Sequence, residues 1–243
     1  MKILKAYLDE LIQKTSCNKE IIEKIKEEKS IYPFSVENKL LVYLLSIREI
    51  SYEEYNRQKI EYYERNKYLD LFDMAPRTYG QTWGENHILE RCHGFMKATK
   101  KNLKNIYPNF NGEFDLWIDG IRVEVKACRA NDPDGKGGLS SRAYSHGEAR
   151  EKNFEYHYQQ LKPSCCDVFI WIATCRDELI YWVLSSDEVR NAEGLCPQHR
   201  NENTGAKDRE IFEGQIWMTE EQLEPFLVRE CEIVEKVREK AKK

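Results

Sequence analysis

Asp119-Gly120, set between two alternating apolar runs, is the feature that most constrains this chain, because it turns the backbone on itself in a defined register. A two-residue turn of the mirror-image type needs positive φ at both central positions, which Asp and Gly tolerate, and its twist suits the flanking strands. With Ile118 and Ile121 beside the turn, the antiparallel partners are Trp117 with Arg122, Leu116 with Val123, Asp115 with Glu124, Phe114 with Val125, and Glu113 with Lys126. Alternation places Phe114, Leu116, Ile118, Ile121, Val123 and Val125 on one apolar face. The other face carries Glu113, Asp115, Trp117, Arg122, Glu124 and Lys126.

Two carboxylates facing each other across a strand pair repel, so Asp115 opposite Glu124 calls for a cation. A site with few protein carboxylates and room for water suits Mg²⁺, which binds through one or two carboxylates plus substrate phosphate. Lys126 falls beside such an ion, where its ammonium is placed to orient an attacking water or to offset charge on a phosphorane-like transition state. The competing reading is a solvated face with an incidental salt bridge. The paired aspartate, the uniform opposite face and the register favour the site.

Asp115 followed by Glu124-Val125-Lys126 resembles the active-site motif of the PD-(D/E)XK nuclease superfamily, and its type II restriction endonucleases in particular. Phe114 stands where that motif usually has proline. The resemblance covers roughly 83–184. It implies an α/β fold with a mixed central sheet flanked by helices and Mg²⁺-dependent hydrolysis of double-stranded DNA, leaving 5′-phosphate and 3′-hydroxyl ends. Asp115 and Glu124 would hold the metal, the main-chain carbonyl of Val125 would complete the coordination, and Lys126 would assist the water. A further acid from a preceding helix often belongs to such sites. Trp83 to Lys97 reads as an amphipathic helix with Ile88, Leu89, Cys92, Phe95 and Met96 on one face. Glu85 lies within that arc and Glu90 outside it, so Glu85 is the accessory candidate; favourable placement at a helix start is the alternative.

Arg91, Lys97, Lys100, Lys101 and Lys104 succeed one another with no acidic residue between Arg91 and Lys104, although the chain's formal net charge is -4. Such a run is either a solvated face or a set of phosphate contacts, and local placement matters more than total charge. Lys97, Lys100 and Lys101 are candidate DNA contacts. Residues 129–147 are dense in Gly, Asp, Asn and Ser and read as a loop. Leaving the catalytic strand, it would offer Arg129, Asn131, Lys136, Ser140, Ser141 and Arg142 to phosphates or base edges, or else lie free on the surface.

Before the hairpin, 3–29, 36–48 and 51–71 read as helices, the last opening on a capping box at Ser51-Tyr52-Glu53-Glu54. Tyr52, Tyr55, Tyr62, Tyr63 and Tyr68 there suit packing or a dimer contact. The sequence thus divides into a helical region, 1–75, for DNA or dimer contact, and a catalytic core, 76–243. Within the core, Glu148 to Leu161 reads as a helix closed by Pro163, 168–173 and 179–184 as buried strands, and Gly214–Met218 as another strand. Gln159, Gln160, His146 and His157 are weak candidates for site or phosphate contacts. A capping box at Thr219 to Gln222 opens a charged helix running to the C-terminus.

No apolar stretch approaches the ~20 residues of a membrane span, and no secretory signal is visible. The eight cysteines lack CxxC spacing, which points to a reducing cytoplasm. Cys196 and His199 have zinc-like spacing but lack a second pair. Cys128 reads as a buried neutral thiol rather than a nucleophile. One such centre cuts one strand, so a homodimer is expected for a double-strand break. The restriction-type resemblance further implies a companion DNA methyltransferase. A repair or branched-DNA nuclease of the same chemistry, and a DNA-binding module with a degenerate site, are the alternatives.

Overall fold

The computed structural model describes residues 2–28, 35–198 and 212–242; His199 lies outside them. The chain forms two units, Met1–Asp70 and Leu71–Lys243, so the division falls shortly before the expected one.

The first unit is helical: α1 Lys2–Lys14, α2 Lys19–Glu27, α3 Val36–Ser46 and α4 Tyr52–Arg65. Three of them start on side-chain caps that satisfy free N–H groups. Asn18 accepts from Glu20 and Ile21, Ser35 from Asn38, and Ser51 from Glu54. Leu4, Leu8, Ile22, Leu40, Leu41 and Leu44 form its core. The capping box expected at Ser51 is half made, because the Glu54 carboxylate does not return to the cap. Instead Tyr7 Oη donates to it at 2.8 Å and Gln58 Nε2 at 3.0 Å. Tyr55 and Tyr62 pack against the core, whereas Tyr52 and Tyr63 are exposed.

The second unit contains a mixed α/β layer structure. Its elements in chain order are α5 Gly84–Arg91, β1 Met96–Lys97, α6 Lys100–Leu103, β2 Leu116–Ile118, β3 Ile121–Arg129, α7 His146–Glu151, β4 Tyr156–Leu161, β5 Val168–Thr174, β6 Leu179–Ser185, α8 Ser186–Arg190, β7 Cys196–Pro197, β8 Gly214–Met218, α9 Glu220–Leu223, β9 Leu227–Val228 and α10 Ile233–Lys240. Among the described residues the main sheet runs β1-β2-β3-β5-β6-β9, and a smaller one runs β4-β8-β7. The β3–β5 pair is parallel; the other pairs are antiparallel. The parallel pair requires a crossover, which 130–167 supply.

Strands β5 and β6 are the continuous apolar runs expected of strands covered on both faces. Val168, Ile170, Ile172, Tyr181 and Val183 meet Ile88 of α5 and Ile233 and Val237 of α10. Phe169, Trp171, Ala173, Trp182 and Leu184 face Tyr156, Tyr158, Leu161, Ile216 and Met218 of the smaller sheet. The central sheet therefore has helices on one side and a second sheet on the other.

The hairpin has the expected turn and register. Asp119 and Gly120 sit at φ 49° and 88°, with Ile118 opposite Ile121, Trp117 opposite Arg122 and Leu116 opposite Val123. The ladder then ends, so the expected pairings of Asp115, Phe114 and Glu113 with Glu124, Val125 and Lys126 are absent. Asp115 N–H donates to the Val123 carbonyl at 3.0 Å, and the step shifts the phase of the chain. Phe114 consequently joins Trp117 on the small-sheet side, not Leu116 and Val125 on the helical side.

Three other expectations are corrected. The helix expected over 83–97 starts as a π turn at Thr78–Trp83, continues as α5 and stops at Arg91; Gly94 at φ 106° reverses the chain into β1. The helix expected over 148–161 is confined to α7. After Asn153 at φ 46° the chain becomes β4, with Tyr156 and Tyr158 buried and Tyr158 opposite Ile216. The apolar spacing of this segment fits either period, and pairing with distant β8 decides it. The C-terminal helix opens with the expected box at Thr219, but Pro225 interrupts it, and β9 separates α9 from α10.

Candidate active site

Asp115 is held by the backbone it leaves. Its Oδ2 accepts the Val125 N–H at 2.9 Å, so a carboxylate takes the place of a ladder acceptor at the mouth of β2 and β3. Glu124 and Lys126, two apart on β3, project together toward the small-sheet side. This face is not a solvated charged surface: Glu124 and Lys126 side chains are 12% and 17% exposed, and Lys126 Nζ stands 2.6 Å from Glu124 Oε1. Glu85 approaches from the first turn of α5, whose Gly84 packs directly on Val125 and Ala127. Tyr79 anchors that segment by donating to the Cys128 carbonyl at 3.0 Å and Thr174 Oγ1 at 2.8 Å. Lys97 of β1 closes the cluster, 3.0 Å from Glu85 Oε2.

The electrostatics are those of a crowded acidic site. Burial, and then repulsion by Asp115, pushes the Glu124 carboxyl up to about 7, with Lys126 opposing. Burial raises Asp115 as well, against Lys126, the Val125 N–H, Lys97 and Lys162. Glu85 is raised by burial and by Asp115. Burial opposes the charge on Lys126, yet Glu124 and Asp115 hold its ammonium above the ordinary range. Lys162, just beyond β4, acts on both Asp115 and Glu124 while pairing with Glu213 at 3.5 Å. Sequence reasoning missed Lys162 because it belongs to a segment read as a helix end.

Among the described residues no group of three or more His, Cys, Asp or Glu converges as a metal cage. The donor set is two carboxylates, Asp115 and Glu124, with the main-chain carbonyl of Val125, the residue after Glu124. That set fits a hard cation that keeps most of its water, such as Mg²⁺. The raised carboxyls supply a further reason for fit, since a divalent ion would stabilise the ionised forms that burial disfavours.

The candidate DNA contacts separate into three kinds. Lys100 and Lys101 are exposed, while Lys97 is tied to Glu85. Arg129 is committed to its own chain: Nη1 donates to the carbonyls of Leu71, Phe72 and Met74 at 3.1, 2.8 and 3.0 Å, and its guanidinium covers the Tyr79 ring at 4.2 Å. The loop is closed on itself. Asn131 bridges Ala143, Arg142 Nη1 donates to the Asp132 carbonyl at 3.0 Å, and Ser141 Oγ to the Gly138 carbonyl at 2.7 Å. Lys136 remains exposed, and Ser140 is half-buried. β3 runs through Arg129 and α7 begins at His146, so the loop is shorter than expected. His146 lies between Glu178 and Glu220.

A cleft of about 1470 Å³ opens beside the cluster, lined by Tyr79, Lys126, Arg129, Asp132, His157 and Trp217 among others. Lys126 is the member of the charged cluster that reaches it. All eight cysteines are free thiols, and burial pushes Cys128 up to about 11, which keeps it neutral. No family model, no curated protein and no solved structure matches this chain. Among the described residues no helix is long and apolar enough to cross a membrane.

Proposed function

We propose that this chain is a Mg²⁺-dependent phosphodiesterase acting on DNA, of the restriction type. The observation that carries the reading is the mutually perturbed set of buried Glu124 with half-buried Asp115 and Lys126 at the edge of an open cleft. Buried carboxylates cost stability unless compensated, and titratable groups perturbed by burial and by specific charge partners beside a cleft are candidates for a functional site. Asp115, Glu124 and the Val125 carbonyl are the groups that would hold the ion. A bound Mg²⁺ would polarise the scissile phosphate and lower the pKa of its water. Lys126 faces both carboxylates and the cleft, which suits it to position a water and to offset negative charge developing on phosphate. Glu85, balanced by Lys97, stands one step further back as an accessory acid. Lys100 and Lys101 supply exposed charge for the DNA backbone. A homodimer, and a methyltransferase guarding host DNA, belong to the restriction-type reading.

Digestion of a sequenced plasmid with Mg²⁺, followed by end mapping, tests it. Wild type should give fragments with 5′-phosphate ends, and Lys126→Ala should lose at least a hundredfold in rate. Fragments of defined sequence favour a restriction enzyme; cutting only at branches or lesions favours a repair nuclease. Intact DNA under every divalent ion, with binding retained, would make the chain a DNA-binding module.

A further inference from the structure

The far wall of the cleft belongs to the smaller sheet, where register sets His157 of β4 opposite Trp217 of β8. Their rings stack with centroids 4.0 Å apart and planes 9° from parallel. Trp171 and Trp182 are wholly buried, whereas Trp217 is 42% exposed. A single exposed apolar residue is ordinary, so exposure alone argues little. What sets Trp217 apart is company. One indole face is fixed by the imidazole, and two amides flank the pair. Gln215 Oε1 lies 3.3 Å from His157 Nε2, and Gln159 Nε2 lies 3.3 Å from that same nitrogen. His157, Gln159 and Trp217 line the same cleft as Lys126.

We propose that Trp217, braced by His157, is a stacking platform for one unpaired or extruded base of a nucleic acid whose backbone follows the cleft to Lys126. The inference rests on the phosphodiesterase reading and narrows its substrate. A base within an intact duplex has both faces covered by neighbours, so only a bulge, a strand end or an extruded nucleotide offers a free face. An aromatic face accepts any base. Gln159, which lines the cleft, adds an amide for the base edge, while buried Gln215 holds the imidazole from behind. Arg77 and Lys152, which also line the cleft, supply charge for the phosphates.

Fluorescence anisotropy tests this with three labelled DNA duplexes: fully paired, carrying one bulged nucleotide, and carrying an abasic site in place of that nucleotide. Binding is measured in EDTA and with Ca²⁺, and cleavage with Mg²⁺. Wild type should bind the bulged duplex on the order of tenfold tighter than the other two. Trp217→Ala, checked for folding by circular dichroism, should lose that preference, and Trp217→Phe should keep most of it. A wild type that cuts DNA with no preference for the bulge, or whose preference survives Trp217→Ala, overturns the platform and leaves the hydrolase standing. A preference that depends on Trp217 without cleavage under any divalent ion supports the platform and overturns the hydrolase. Neither binding nor cleavage overturns both.

Discussion

Lys126 Nζ and Glu124 Oε1 are 2.6 Å apart, in a pair whose side chains are 17% and 12% exposed. Both leave the same face of one strand, and Asp115 raises the charge demand on each. Removing the ammonium therefore strands two acids in a poorly hydrated place. Lys126→Met should destabilise the metal-free protein by about 3–5 kcal/mol, read as a lower urea midpoint. Glu124→Gln combined with Lys126→Met should recover most of the loss. A solvated pair would cost only about 0–1 kcal/mol.

Glu124 titrates upward from 4.5 to about 7, so between those values the folded protein binds the proton that the unfolded chain has released. Stability in EDTA should accordingly fall as pH rises from about 4.5 to about 7, and flatten above. Glu124→Gln should reduce that slope, the raised Asp115 and Glu85 carboxyls leaving the remainder. Mg²⁺ should stabilise the protein more at pH 8 than at pH 5, since only the ionised carboxylate receives it. A denaturation series across pH, with and without Mg²⁺, checks the sign.

Arg129 reads in the sequence as a phosphate contact, yet its guanidinium ties down three carbonyls of 71–74 and caps Tyr79. Arg129→Ala should cost about 3 kcal/mol in DNA-free protein, through orphaned carbonyls and a lost stacking contact. Arg129→Lys should recover only part, because an ammonium lacks the planar fork. Lys101→Ala should leave stability within about 0.5 kcal/mol and weaken DNA binding with a reduced salt slope. Thermal melts and salt titrations separate the two roles.

His146 donates to two carboxylates, with its ring nitrogens 2.9 Å from Glu178 Oε2 and 2.9 Å from Glu220 Oε2. Burial works against the imidazolium, but hydrogen bonds to both acids outweigh it and raise the His146 pKa above its usual 6.5. That contribution is fully present below pH 6.5 and fades as pH rises through the folded value. His146→Asn should therefore lower the melting temperature at pH 6 more than at pH 9.

Gly120 holds φ 88° with open space where a Cβ would stand. Gly120→Ala should cost about 1–2 kcal/mol from backbone conformation alone. Asp119→Asn keeps a residue that tolerates positive φ and loses only an exposed contact to Arg238, so urea midpoints should rank Gly120→Ala well below it.

The amino-acid sequence by itself determined the elements whose cause is local. Asp119-Gly120 set the turn and its first three pairs, the apolar runs at 168–174 and 179–185 marked strands covered on both sides, and Thr219 with Gln222 marked a helix start. It also contained Asp115, Glu124 and Lys126 at a spacing that the turn alone brings close. Tertiary structure decided the rest. The ladder breaks at Asp115 because its carboxylate captures the Val125 N–H, which rotates Phe114 to the opposite layer. Residues 156–161 become a strand because β8, more than fifty residues later, offers its edge. Glu124 is buried and Lys126 half-buried because the second sheet lies over their face, and His157 meets Trp217 only through that sheet's register. Turns and caps are set by neighbours within a few bonds, whereas burial, perturbed acidity and a shared cleft depend on surfaces that meet only after the chain has folded.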